Sequence, residues 1–304
     1  MEKSFVSIII PAYNVGSYLE ECVNAFLSQT YINYEIIIID DGSTDDTYTI
    51  GEKIALQNNK VKIIHQENQG VSIARNVGIQ NACGEYYIFA DADDVVAPQY
   101  IETLAVCIEK SDMGMIGYTL NINELSFDVI TNLVYNRAEN VIENILLGTN
   151  YDGYLWNKIF RRSIIEKSNL MFRKNITVWE DLLFVLEYLR NCTEVSISDE
   201  KLYYYRYREG SAVNNNRIDK YRSKYEAMAE IKKQSFSQTS QSKKRISFLF
   251  FETMFSYLNQ LIIRKDNLIE AKSVLSNVKI VELIKQKNAL LILKYLYLRI
   301  KTNF

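Results

Sequence analysis

The chain has 304 residues, room for one or two domains with a sizeable core. Its 35 lysines and arginines nearly cancel its 37 aspartates and glutamates, and a formal charge of −2 draws it to no nucleic acid. Four scattered cysteines (Cys22, Cys83, Cys107, Cys192) lack paired spacing and fit a reducing, cytoplasmic setting, while the lack of a basic-then-apolar leader or of 18 successive apolar residues gives no signal peptide or spanning helix to expect.

Phe5 to Ile10 predicts a buried strand, stopped by Pro11 and followed by Ala12, Tyr13 and Asn14. Ser17-Tyr18-Leu19-Glu20 has capping-box spacing ahead of a helix carrying Leu19, Cys22, Val23, Phe26 and Leu27. Glu35 to Ile39 is a second strand, ending in Asp40-Asp41-Gly42-Ser43, and Thr44 to Leu56 a helix. Val61 to His65 is a third strand, and Gly70 to Ala82 a short helix with Gly84 as its C-cap. Tyr86 to Ala90 is a fourth strand, Pro98 to Lys110 a helix and Met113 to Tyr118 a fifth strand. This alternation predicts an α/β fold, a mostly parallel sheet with helices on both faces. From about 120 to 215 it weakens into a mixed lobe: the stretch Trp156 to Phe160, a helix from Trp179 to Cys192 and a strand from Lys201 to Tyr207. From about 216 onward the pattern is helical.

The chemistry gathers after strands one, two and four, at one edge of the sheet, where open α/β sheets bind ligands. Asp91-Ala92-Asp93-Asp94 sets three carboxylates within four residues, and their mutual repulsion suits a hard cation, Mg²⁺ or Mn²⁺. A solvated turn or helix cap is the plainer alternative. A calcium loop is disfavoured, because Val95 and Val96 occupy the fifth and sixth positions. Asp40 and Asp41 could accept from a base ring or ribose, or cap the next helix. Arg75, one turn into a helix, could meet a base or pyrophosphate, or pair at the surface. Glu180-Asp181 opens a helix, where an anion is stabilised and could take a proton from a hydroxyl. Trp156, beside Asn157 and Lys158, could dock a sugar face or simply be buried. Arg206 and Arg208 share a strand face and could meet pyrophosphate, with Ser211 in the loop beyond. The single histidine, His65, reads as structural, so nucleophilic triads built on histidine are not expected.

In order and spacing, Val6-Ser7-Ile8-Ile9-Ile10-Pro11-Ala12-Tyr13-Asn14, Gln29-Thr30, Asp40-Asp41-Gly42-Ser43, Gly70 to Gly78 and Asp91-Ala92-Asp93-Asp94 resemble family 2 glycosyltransferases of the GT-A fold. The likeness is specific over residues 5 to 110 and looser through Trp156-Asn157-Lys158, Glu180-Asp181 and Tyr205-Arg206. It implies a GT-A catalytic domain over 1–215, with a nucleotide-sugar half (1–110) and an acceptor half (111–215), then a helical region over 216–304. It also implies inverting transfer from a UDP-sugar to a glycan acceptor, with Mn²⁺ or Mg²⁺. Carried over, Pro11, Ala12, Tyr13, Asn14, Asp40, Asp41, Arg75, Asp91, Ala92, Arg206, Arg208 and Ser211 would bind the donor. Asp93 and Asp91 would hold the metal, and Asp181, with Glu180 as runner-up, would be the base. Trp156, Asn157, Lys158 and Asp94 would meet the acceptor. Some relatives add a histidine ligand after the base, and this chain has no histidine beyond 65.

After Glu282 the tail has no acid but carries Lys285, Lys287, Lys294, Arg299 and Lys301 among Leu290, Leu291, Ile292, Leu293, Leu296, Leu298 and Ile300. Such a helix could lie on an anionic membrane or pack on its own domain or a second subunit, as in a homodimer. Two rival functions are a nucleotidyltransferase, which would want a glycine-rich loop after strand one, and a catalytically silent sugar-nucleotide-binding partner. A dinucleotide oxidoreductase is disfavoured, because no G-x-G-x-x-G follows an early strand.

Overall fold

A computed structural model describes residues 4–126, 133–207, 218–236, 239–264, 268–276, 278, 283–284 and 288–302. The chain forms two compact units, Met1–Val141 with Asp152–Glu209, and Ile142–Tyr151 with Gly210–Phe304.

The first unit begins with β1 (Val6–Ala12), α1 (Gly16–Leu27), β2 (Tyr34–Asp41), α2 (Thr47–Gln57), β3 (Val61–Gln66), α3 (Val71–Asn81) and β4 (Tyr86–Phe89). β2 is buried along its whole length and β1 at all but Pro11, so both read as runs of isoleucine rather than as alternations. In β1 the even positions Val6, Ile8 and Ile10 pack with Leu19, Val23 and Phe26 of α1. Ile9 faces α3, where a Cβ at Gly78 would fall 2.3 Å from Ile9 Cγ2, so only glycine lets helix and strand come this close.

β1 to β4 are mutually parallel, in the order β3-β2-β1-β4. The expected fifth strand does not continue that series. β5 (Val95–Val96), α4 (Tyr100–Ile108), β6 (Met113–Thr119), β7 (Val134–Arg137), α5 (Ala138–Leu147), β8 (Lys158–Arg161), α6 (Arg162–Lys167), α7 (Glu180–Leu189) and β9 (Glu194–Tyr204) follow. β8 inserts antiparallel beside β4, β6 pairs antiparallel with β8 and parallel with β9, and β5 and β7 pair antiparallel with β9. The sheet is therefore parallel in its first half and mixed in its second. β9 begins seven residues before the expected Lys201 and ends at Tyr204, which leaves Arg206 in the following loop.

Two local expectations fail. The Ser17 capping box does not form: Val15 is the N-cap, without a side-chain cap. The first N–H groups there are met from the segment after β2 instead, Val15 N–H by Thr47 Oγ1 at 2.8 Å and Gly16 N–H by Asp45 Oδ2 at 3.0 Å. Gly84 does not cap α3, whose C-cap is Ala82. It is needed for close approach to β1, since a Cβ there would sit 2.6 Å from Ser7 N.

In the second unit, α8 (Ile218–Gln234), α9 (Ser240–Arg264), α10 (Leu268–Ser276) and a last helix, Ala289–Thr302, share a core. That core includes Phe251, Met254, Phe255, Leu258 and Leu261 of α9, Leu275 of α10, and Leu291, Tyr295 and Leu298 of the last helix. By length and composition α9 could cross a bilayer, with a mean hydropathy of 1.3 over 18 residues, which the sequence reading did not anticipate. Phe251, Met254, Phe255, Leu258 and Leu261 of α9 are buried in this core, while Ile263 is exposed.

Candidate active site

The chain runs from β1 outward to β2 and β3, then returns to β4 on the other side of β1. The loops after β1 and β4 consequently diverge at the carboxyl ends of the strands, where a ligand crevice belongs. One wall is tied by Asn14, in the left-handed region at φ 50°. Its Oδ1 accepts from Thr44 N–H at 2.8 Å, and its own N–H donates to Ser43 Oγ at 3.0 Å. Tyr13 stands exposed beside it, and Pro11 is half-buried. Ala12 and Ala92 sit in the core, so neither methyl group reaches the crevice.

The two aspartates ending β2 point to opposite faces. Asp41 accepts from Gln66 Nε2 (2.6 Å), Gln69 N–H (2.9 Å) and Gly70 N–H (2.8 Å), which shapes the loop into α3. Gly70 takes φ 90° there. Asp40 turns inward: its side chain is fully buried and pairs with His65 Nδ1 at 2.6 Å. It cannot touch a donor, which corrects the expectation; His65, half exposed, covers it.

Across the crevice stands an ionic cluster drawn from three elements. Arg75 of α3 is buried, 2.6 Å from Glu180 Oε1 through Nη1 and 3.3 Å from Asp91 Oδ1 through Nη2. It is neither a surface pair nor a free donor ligand, and its Nε has no partner. Glu180 and Asp181 open α7, whose N-cap Trp179 lies at φ 66°, a left-handed conformation that costs a bulky residue about 1–3 kcal/mol. Glu180 is clamped by the guanidinium. Among the described residues Asp181 accepts from its neighbour's N–H, Leu182, at 2.7 Å. Desolvation, with the Glu180 charge beside it, pushes the Asp181 carboxyl up to about 7 despite Arg75. Asp91 is raised too, chiefly by desolvation, with Arg75 opposing and Asp93 adding to the shift.

Asp94, expected at the acceptor, is 2% exposed. Its Oδ2 accepts from Tyr203 OH at 2.7 Å and its Oδ1 from Arg206 N–H at 2.7 Å. It anchors β9 to the β4 loop, and burial, with Asp91 and Asp93, pushes it to about 8. Arg206 reaches Asp93 O at 2.9 Å and Glu21 Oε2 at 2.7 Å. Arg208 and Ser211 lie outside the described residues.

The Trp156-Asn157-Lys158 trio also faces inward. Lys158 is 0% exposed, and its three N–H groups go to Asp152 O, Tyr154 O and Asn157 Oδ1 at 2.6–2.9 Å. Burial lowers it to about 7. Asn157 Nδ2 donates to Ile116 O at 2.9 Å. Trp156 is 5% exposed and stacked on Tyr154 (4.9 Å), Tyr203 (4.5 Å) and Tyr205 (5.7 Å). Lys158 and Asn157 are thus bonded within the fold and both faces of the Trp156 ring are covered, which corrects their expected place at the acceptor. Tyr154, the outward ring of that stack, was missed; the only signal in the sequence was a tyrosine two residues before a tryptophan.

No group of three metal-ligating His, Cys, Asp or Glu side chains occurs among the described residues. Asp91 and Asp93 do suit a hard cation with open positions: both are oxygen donors, and Asp91 keeps a third of its side chain exposed, with one oxygen only loosely held by Arg75. Arg75 pairs with Glu180 and Asp91, and a cation beside Asp91 and Asp93 would add a second positive charge to this gathering of carboxylates.

Comparison with known proteins agrees with this architecture. The model of the family described as Glycosyl transferase family 2 matches residues 7–168. The uncharacterized glycosyltransferase EpsJ of Bacillus subtilis is 34% identical over 66% of this chain and 60% of its own. Glycosyltransferase GlyG of Streptococcus pneumoniae is 44% identical over 40% of this chain and 41% of its own. The chain spans about three-fifths of the length of relatives such as EpsJ. S. aureus TarS 1-349 in complex with UDP-GlcNAc superposes with TM-score 0.66 at 22% identity, covering 98% of this chain and 88% of that one. Mannosyltransferase PcManGT from Pyrobaculum calidifontis, in complex with GDP-Man and Mn²⁺, gives TM-score 0.58 at 14% identity over 100% and 87%. These two likenesses speak to the GT-A fold alone.

Proposed function

The chain belongs to the family 2 glycosyltransferases, and from that premise we propose that it moves a sugar from a UDP-sugar to a hydroxyl of a glycan acceptor, with inversion. The acceptor would be a lipid-linked oligosaccharide, a capsular or extracellular polysaccharide, or a glycoprotein glycan. The observation that carries the mechanism is the unequal treatment of two adjacent carboxylates: Arg75 holds Glu180, while Asp181 is left with a single backbone donor and titrates near 7. A base poised near the working pH takes a hydroxyl proton most effectively, a contribution of roughly 10²–10⁴-fold. As the acceptor oxygen attacks the anomeric carbon, its proton passes to Asp181, and the bond to the UDP oxygen breaks on the opposite face. Asp91 and Asp93 are the residues that would hold Mn²⁺ or Mg²⁺, whose charge would offset that of the departing diphosphate. Tyr13, exposed on the crevice, would cover the nucleotide base, and Asp41 would set the loop beneath it.

The test is UDP release from UDP-Glc, UDP-Gal, UDP-GlcNAc and UDP-GalNAc with and without Mn²⁺. One donor should release UDP in a Mn²⁺-dependent way. Pyrophosphate release would point to a nucleotidyltransferase, and binding without turnover by any donor to a catalytically silent partner.

The last helix favours a second element of the reading, contact with an anionic membrane at the cytoplasmic face. Leu291, Tyr295 and Leu298 are buried, while Leu293, Leu296, Tyr297 and Ile300 form a second, exposed apolar stripe. Lys294, Arg299 and Lys301 accompany it without an acid. Lys285 and Lys287 lie outside the described residues. Leu296→Ser with Ile300→Ser should abolish sedimentation with phosphatidylglycerol vesicles. Unchanged sedimentation, or a switch from dimer to monomer in solution, would reassign the stripe.

A further inference from the structure

Four aromatic side chains from three segments meet around Trp156. Tyr154 stacks on it at 4.9 Å and 12°, Tyr203 at 4.5 Å and 15°, and Tyr118 meets it edge-on at 4.8 Å. The indole is buried, but Tyr154 remains 39% exposed, so the stack ends in an open ring. Burying Tyr154 would have been simple for an ordinary core; instead the loop holds it outward. Lys158 grips that loop from below through Asp152 O and Tyr154 O. Tyr118 OH donates to Asp152 Oδ2 at 3.1 Å, which fixes an exposed carboxylate at the edge of the ring.

Two contacts locate the ring. Gly153 packs on the backbone of Leu182, where a Cβ would fall 3.0 Å from Leu182 Cα, so the loop lies against the residue after Asp181. At the other end of the stack, Tyr203 OH bonds Asp94 and accepts from Asp91 N–H at 3.3 Å. The stack therefore reaches from the loop beside Leu182, with the open Tyr154 ring, to the carboxylates after β4, with Tyr203. Asp181 and Asp152 both act electrostatically on Tyr154, consistent with that position.

We propose that Tyr154 is the acceptor platform: a pyranose lays its C–H face on this ring and turns a hydroxyl toward Asp181, with Asp152 receiving a second hydroxyl. The inference rests on the glycosyltransferase reading and adds to it the substrate class at the acceptor position, a pyranose presented face-on. Tyr154 acts in binding, not in chemistry. A ring backed by a buried indole, on a loop whose carbonyl groups are held by a buried amine, needs little ordering when the sugar arrives, which lowers the entropy cost of binding.

The experiment uses the full chain with saturating UDP and Mn²⁺, titrated with methyl β-pyranosides of glucose, galactose, N-acetylglucosamine and N-acetylgalactosamine. Its two tryptophans, Trp156 and Trp179, flank the site and report binding by fluorescence. At least one glycoside should saturate the signal. Tyr154→Ala should weaken it by about tenfold, and Tyr154→Phe, which keeps the ring, by less than about twofold. UDP affinity, measured in the same samples, should stay unchanged in both variants. The proposal is overturned if no glycoside saturates the wild type, if Tyr154→Ala binds as tightly as wild type, or if UDP affinity falls in parallel. Failure of the wild type to bind UDP would instead refute the proposed UDP-sugar donor.

Discussion

Asp91 and Asp93, just after β4, and Asn157 and Lys158, at the start of β8, belong to neighbouring strands of one sheet, yet their polar groups meet opposite fates. β4 is parallel to β1, and its carboxyl end opens into the crevice, so its acids keep exposed oxygen. β8 runs antiparallel to β4, and Lys158 exhausts its donors on carbonyl groups of its own loop. Strand direction thus sorts these residues: those at the open end of a parallel set face the crevice, while those that enter an antiparallel neighbour hold a loop.

This contrast can be broken at four points. The largest effect is expected at Arg75, which touches both Glu180 and Asp91. Arg75→Ala removes the partner of two partly buried carboxylates and should cost about 3–5 kcal/mol of stability, read from urea unfolding. Asp93→Ala should do the reverse, leaving the midpoint of unfolding near wild type while transfer in Mn²⁺ falls roughly 10²–10³-fold. Lys158→Met should behave as scaffold, costing about 1–3 kcal/mol because three oxygen acceptors lose their donor, with donor KM unchanged. A Lys158 variant that is stable but has lost acceptor affinity would erase the distinction. The smallest effect is the response to pH. Asp181 is protonated below about 7, so kcat/KM for the acceptor should climb about tenfold per pH unit up to that point and level off above it. The same raised value means that the native state holds this proton more tightly than the unfolded chain. Asp181 therefore contributes stability that declines as pH rises from the ordinary carboxylate range to about 7.

What could be read in the residues follows the same division. Parallel strands covered on both faces are uninterrupted apolar runs, so Phe5 to Ile10 and Glu35 to Ile39 announce themselves, and the acids that end such runs mark the crevice. The order β3-β2-β1-β4 needs only that alternation. Orientation past the strand end was not legible. Asp40 and Asp41 are neighbours, yet one is sealed beside His65 and the other organises a loop. Asp93 and Asp94 divide the same way, because Asp94 is claimed by Tyr203 and Arg206, more than a hundred residues on. Arg75 reads as a helix-surface residue until Glu180, 105 positions away, is brought to it. The antiparallel insertion of β8 was hidden because Lys158 to Arg161 is four residues with two cations, too short and too charged to signal a central strand. Trp156 misled for a related reason: composition identifies an aromatic suited to a sugar, but only packing shows that Tyr154 covers it.

The account turns on which of two adjacent carboxylates takes the acceptor's proton. Initial rates of UDP release should be measured for Asp181→Asn and Glu180→Gln at saturating donor, Mn²⁺ and acceptor. Asp181→Asn should lose roughly 10²–10⁴-fold in kcat with donor KM intact, while Glu180→Gln, still able to accept from Arg75, keeps most of the wild-type rate. Near-normal turnover by Asp181→Asn, with the loss falling on Glu180→Gln, would contradict it.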